Sequence, residues 1–352
     1  MIPAFAASVR GPVGLDLDPR VLMTNLLFTV LFVFLFGLTS EIFNSTIDEN
    51  RDEIEGWVTK LTNGPLRILK PLARADAMLD RLTETGARGT ALHAGVVLLV
   101  TGVIYGFLSP DFGFNWASLI LFVSLVIGLG LVTYLGEGGS SLLASRRHKA
   151  KSTVRMYGTA VAFALLCVLG SRLINFEPGL VYGFIASAVI LAPVALKPRE
   201  EALLVIWPAL GLLVVSLIAW VLLQPVQAAA GAGSTWYLAL LDTILATIFV
   251  AGLEGLFFSL MPLRFMHGAI VMRWSRVVWA LLFGLVAFLW WQLLINRDSA
   301  YADAFKQTSV LFALGLLAFF MATTGTTWTY FRFHVGEEEQ PEMEVSEEGS
   351  EA

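Results

Sequence analysis

The chain has 352 residues, 57% of them hydrophobic and only 14% charged, with a mean hydropathy of +0.74. Soluble domains are about a quarter charged, so the composition excludes a soluble protein and places the chain in a membrane. A formal charge of −5, owed largely to an acidic C-terminal tail, gives no basis for nucleic-acid binding, and a single cysteine, Cys167, excludes a disulfide framework or a thiolate metal cluster.

Residues 1–20 lack a basic n-region and a continuous apolar core before Arg10, so no secretory signal peptide is expected there. A bilayer crossing takes about 20 apolar residues. Segments meeting that need are Val21–Ser40, Thr90–Leu108, Ala117–Leu135, Tyr157–Ile174, Leu180–Leu196, Ala202–Leu223, Leu238–Leu260, Val277–Ile295 and Thr308–Tyr330. The expected fold is therefore all-α, a polytopic bundle of about nine spans. The linkers FEPG (176–179) and KPREE (197–201) are short enough to require antiparallel hairpins.

Between the first and second spans, residues 41–89 read as an amphipathic helical loop. Ser45 or Thr46 is suited to cap a helix with acidic residues in its first turn, and Ile47, Ile54, Trp57, Val58 and Leu61 share one face. NGP at 63–65 ends it, and a looser stripe from Leu66 to Leu82 follows among arginines and lysines. Such helices lie on a membrane surface or pack on the protein's own loops. The bundle proper spans 90–332. Residues 333–352 form an acidic tail without aromatic residues beyond its first position, expected to be disordered.

Loops 41–89, 136–156, 197–201 and 261–276 together with the tail carry 18 of the 23 lysines and arginines. Positive charge stays in the cytoplasm, so the N-terminus is expected outside and the C-terminus inside a cell membrane. The sequon Asn44-Ser45-Thr46 then sits on the cytoplasmic side, where it has no meaning for glycosylation.

Ionisable groups within spans are functional candidates by default. They are His93, Arg172, Asp242 and Glu254. Asp242 and Glu254 lie twelve positions apart, a rotation of roughly 120° on a helix, so a relay between them is not expected.

Residues 134–148, YLGEGGSSLLASRRH, follow an apolar span with glycines, one glutamate and a basic run. A zinc-protease helix carries His-Glu-x-x-His because positions i and i+4 share a face and hold the metal, with the glutamate as base. Here Glu137 stands at the base position, and Gly136 and Ser140 stand at the two histidine positions. LINFEPGLVYGFI (173–185), with Pro178 and Gly179, resembles the Ala-Pro-Gly-Ala-Val-Tyr-Ile segment of site-2 proteases. LMPLRFMHGAIVMRWSRVVW (260–279) resembles the later segment of that family that supplies the third zinc ligand, with His267-Gly268 at the Asp-Gly position. The resemblance covers about 120–280. GLEGLFFSLMPLRFMHG (252–268) also resembles actinobacterial membrane proteins named for a Phe-Gly-Leu-Leu-Pro motif, which here runs from Phe258 to Pro262.

The resemblance implies a degenerate protease-like core without its zinc motif. One nitrogen ligand cannot hold catalytic zinc, which takes three protein ligands and a water. No cofactor, metal or catalytic residue is expected, and Glu137 and His267 read as vestigial. A rebuilt site would need Glu137, Glu254 and His267 to converge. The simpler expectations are that Glu137 pairs with arginines such as Arg146, that Glu254 bonds a neighbouring helix, and that His267 is a loop residue. Gly128, Gly130, Gly136, Gly138 and Gly139 suit close helix packing. The expected function is a non-catalytic scaffold or adaptor in the bilayer, meeting membrane or cytoplasmic proteins through 41–89 and the tail. The alternatives are an active metalloprotease with a rebuilt site, or a transporter.

Overall fold

The computed structural model describes residues 2–64, 87–149, 151–156, 159–176, 179–183, 186–191, 196–231 and 235–335. The second stripe of the 41–89 loop, Pro178 and residues 336–352 of the acidic tail lie outside these residues.

A short helix, α1 (Ala4–Ser8), precedes α2 (Pro19–Glu49) and α3 (Arg51–Asn63). Next come α4 (Ala87–Gly106), α5 (Trp116–Thr133), a π-helical turn at Tyr134–Gly138 and α6 (Gly139–His148). Strand β1 (Lys151–Met156), α7 (Thr159–Ile174) and strand β2 (Ala186–Leu191) follow. The chain closes with α8 (Pro198–Gly231), α9 (Trp236–Ser259), α10 (His267–Trp274), α11 (Arg276–Trp290) and α12 (Thr308–Tyr330).

Among the described residues, six helical segments are long and apolar enough to cross a membrane: Pro19–Glu49, Trp116–His148, Pro198–Ala230, Trp236–Ser259, Arg276–Ile295 and Thr308–Phe333. Two shorter apolar helices, Thr90–Gly106 and Ala164–Ile174, accompany them. The surface is inverted relative to a soluble protein. Leu27, Phe34 and Leu173 are exposed, while Asn25, Ser124, Thr243 and Glu254 are fully buried.

Contacts fix the direction of each helix. Thr24, near the start of α2, accepts from the amide of Tyr301 ahead of α12, and Trp57, past the end of α2, stacks on Phe331 past the end of α12. These two helices therefore run the same way. α11, which also packs on α2, runs opposite to it, with Arg276 beside Glu41 at one end and Gln292 bonded to Asn25 at the other. α5 and α9 also run parallel: the Ser124 hydroxyl donates to Leu240 O, and Gly128 abuts Thr247 further along. α9 is the central helix, 67% buried over its apolar window, against 22% for the peripheral α12.

Two expectations are corrected. The described residues of the segment 180–196 are not helical. Residues 179–183 are extended, and β2 pairs antiparallel with β1, Lys151 opposite Leu191 and Met156 opposite Ala186. A short apolar run reads the same for a buried strand as for a buried helix. Nor does a new helix start at Ser45 or Thr46. α2 runs through both to Glu49, because each hydroxyl bonds back to Ile42 O and neither acts as a cap. The break falls at Asn50, and α3 begins at Arg51.

Candidate functional site

The π-helical turn that ends α5 carries Glu137. Such turns insert one residue into a helix and re-aim its side chains. Here Glu137 is 2% exposed. Its Oε1 lies 3.7 Å from Nε2 of His267, the first residue of α10. On the other side of the imidazole, Nδ1 lies 2.9 Å from Oγ of Ser259, the last residue of α9. The turn between α9 and α10 brings this about: Gly268 sits so close to the carbonyls of Leu260 and Met261 that a Cβ there would overlap them. Asn44 of α2 clamps the same turn, donating to Pro262 O and accepting from Arg264 N.

His267 is therefore a helix-start residue between two polar partners, not a loop residue, and Glu137 is buried against it while Arg146 is exposed. Gly136 and Ser140 are joined, the Ser140 hydroxyl donating to Gly136 O at 3.1 Å. Phe258 packs edge-on against Tyr182, with ring centroids 6.1 Å apart.

Glu254 does not complete a three-ligand set. Its Oε2 accepts from the amide of Val181 at 2.6 Å, so one partner is the extended segment, and the Trp290 indole of α11 is a second hydrogen-bonding neighbour of the carboxylate. Among the described residues, no group of three His, Cys, Asp or Glu side chains converges in a metal-binding arrangement.

Extended backbone lacks the internal hydrogen bonds of a helix, so each of its peptide groups needs an outside partner. Here side chains supply them. Leu180 N donates to Ser171 Oγ of α7, and Val181 N to Glu254 of α9. Tyr182 N donates to the Tyr105 hydroxyl of α4, which itself donates to Tyr182 O. Thr133 of α5 donates to Gly183 O. Gly179, at φ +108°, turns the chain into this stretch against Leu108, and Gly183 lies against the Ala251 carbonyl, where no Cβ fits.

The remaining intramembrane candidates are placed apart. Arg172 donates to Phe107 O and Ser109 O, closing the end of α4. His93 is buried on α4. Asp242, 1% exposed, borders a 410 Å³ pocket with Arg10, Gln224 and Gln227 at the other end of α9. Sequence reasoning missed Asn44, Ser259 and Tyr105. Only Ser259 carried a signal, its place within the Phe258–Pro262 motif.

Fold and site together define a helical, multi-pass membrane protein. Comparison with family models, curated proteins and solved structures gives no match.

Proposed function

We propose that the chain is a non-catalytic scaffold or adaptor built on a degenerate site-2-protease-like core, holding a membrane segment or a partner protein between its helices. The meeting of Glu137 and His267 carries this reading. The two segments that resemble the protease's base helix and its third-ligand segment come from separate helices, yet face each other at 3.7 Å.

Three observations support a core without that chemistry. The helix-histidine positions, Gly136 and Ser140, bond to each other. Glu137 and His267 alone fall short of the three protein ligands that catalytic zinc takes. The order Ser259, His267, Glu137 does mimic an acid–base–nucleophile chain, but a serine nucleophile draws on the amide that follows it to stabilise the oxyanion. Here the amide of Leu260 is spent on Leu256 O and that of Met261 on Phe258 O.

On this reading the chain crosses the membrane nine times, eight times as the long and short apolar helices and once through the stretch that holds the extended residues 179–183 and the strand 186–191. With 18 of the 23 basic residues at one end, the N-terminus lies outside the cell membrane and the C-terminus in the cytoplasm. Partners engage the inner surface through 41–89 and the tail.

Elemental zinc on protein purified in mild detergent without a metal-affinity tag, paired with photo-crosslinking from residues 134–138, tests the reading. The expectation is no zinc and crosslinks to membrane segments. One zinc per chain, lost in His267→Ala, would overturn the non-catalytic reading in favour of a rebuilt metal site and call for a search for cleaved substrates.

A further inference from the structure

An apolar groove of about 770 Å³ runs along the outer face between α2 and α11. Val33, Phe34 and Leu38 form one wall and Leu281, Leu285 and Phe288 the other. Its floor is open because Gly284 has no side chain: a Cβ there would meet only Val33, at 3.9 Å. Glu41, Met272 and Arg276 at the groove's end also line a second, polar pocket of about 450 Å³. The two cavities thus adjoin across these three side chains, one apolar and one charged.

Three arginines border the polar pocket, namely Arg264, Arg273 and Arg276, with two carboxylates, Glu41 and Asp48. Arg276 pairs with Glu41 at 2.9 Å, and Arg264 pairs with Asp48. Arg273, exposed on α10, has no ion pair among the described residues. The pocket is left with one surplus positive charge, placed where an apolar groove meets the end of the membrane-crossing helices.

We propose that this composite cavity binds a phospholipid with an anionic headgroup, one acyl chain lying between α2 and α11 and the phosphate at Arg273. The site is separate from Glu137 and His267 and holds whether or not the scaffold reading does. Charge complementarity selects the headgroup: a zwitterionic lipid brings its own cation beside Arg273, whereas a net-anionic one does not. The groove selects a lipid over free phosphate, because the chain buries apolar surface that inorganic phosphate lacks.

Native mass spectrometry of the full chain, titrated with dioleoyl-phosphatidylglycerol, dioleoyl-phosphatidylcholine or inorganic phosphate, tests this. The expected order is phosphatidylglycerol above phosphatidylcholine, with phosphate alone undetected. Arg273→Gln should lower the preference for phosphatidylglycerol by roughly fivefold, the effect of one arginine at an anionic surface. Gly284→Leu fills the groove and should weaken both lipids alike. Equal binding of the two lipids would overturn the proposal, as would phosphate binding as tightly as phosphatidylglycerol or an Arg273→Gln protein with unchanged preference. Arg273 is exposed, so the variant is expected to keep the wild-type melting temperature, which serves as the folding control.

Discussion

Asn44 and Arg264 are joined by a hydrogen bond that fixes the site's geometry. The Asn44 side-chain oxygen accepts from the Arg264 amide at 2.8 Å, while its nitrogen donates to Pro262 O at 2.8 Å. One amide thus spans the turn that delivers His267 to Glu137. Asn44→Ala removes both bonds and should cost about 1–3 kcal/mol, read as a fall of several degrees in melting temperature in detergent. Asn44→Asp keeps the acceptor alone and should fall between. An unchanged melting temperature for Asn44→Ala would show that the turn holds without the clamp.

Glu254 acts as a hydrogen-bond acceptor for Val181, and its substitutions should separate that role from charge. Gln keeps an acceptor oxygen, so Glu254→Gln is expected to leave stability equal or higher. Glu254→Leu strands the Val181 amide in the interior, at a cost of about 1–3 kcal/mol. Should Gln prove as damaging as Leu in thermal melts, the carboxylate itself would be required, as an ion-coupled protein demands.

Glycines divide sharply by surroundings. Gly183→Ala and Gly268→Ala each drive a Cβ into backbone carbonyls, of Ala251 and of Leu260. Overpacking of this kind costs about 1–3 kcal/mol. Gly211, exposed within α8, has nothing within 4 Å of its Cβ direction, and Gly211→Ala should be neutral or stabilising by up to about 1 kcal/mol. Denaturant titration of the three variants side by side checks the contrast.

At the opposite end, Asn25 donates to Gln292 Oε1 at 2.6 Å and to Asn296 O at 2.8 Å, and accepts from Asn296 Nδ2 at 2.8 Å. Side-chain bonds between membrane helices average about 0.6 kcal/mol and reach about 1.7. Asn25→Leu should lie at or above the upper value, because Gln292 and Asn296 are buried and lose a partner. The double variant with Asn296→Leu should cost less than the sum of the singles. Strict additivity would mean that the network is not one unit.

Much of the architecture was legible because hydropathy reports burial in lipid directly. The span at Thr308–Tyr330 coincides with α12, and those at 90–108, 238–260 and 277–295 agree to within a few residues. Residues 180–196 misled because hydropathy carries no information on backbone conformation. The end of α2 misled for a different reason, since Ser45 and Thr46 suit a cap and a back-bonded helix interior equally. Motif order brought Glu137 and His267 into one neighbourhood. Motif spacing could not reveal that Glu254 turns instead to Val181, nor that Ser259 and Asn44 complete the setting, since those partnerships exist only in three dimensions.

A transmembrane helix enters a bilayer carrying its own hydrogen bonds; residues 180–183 bring none. Ser171, Glu254, Tyr105 and Thr133 belong to four different helices, and in the sequence each looks like a blemish in an apolar run. Together they serve as the missing neighbouring strand, assembled one side chain at a time. The extended form of this stretch is consequently a property of the completed bundle, and none of the four helices can be withdrawn without leaving one of its peptide groups without that partner.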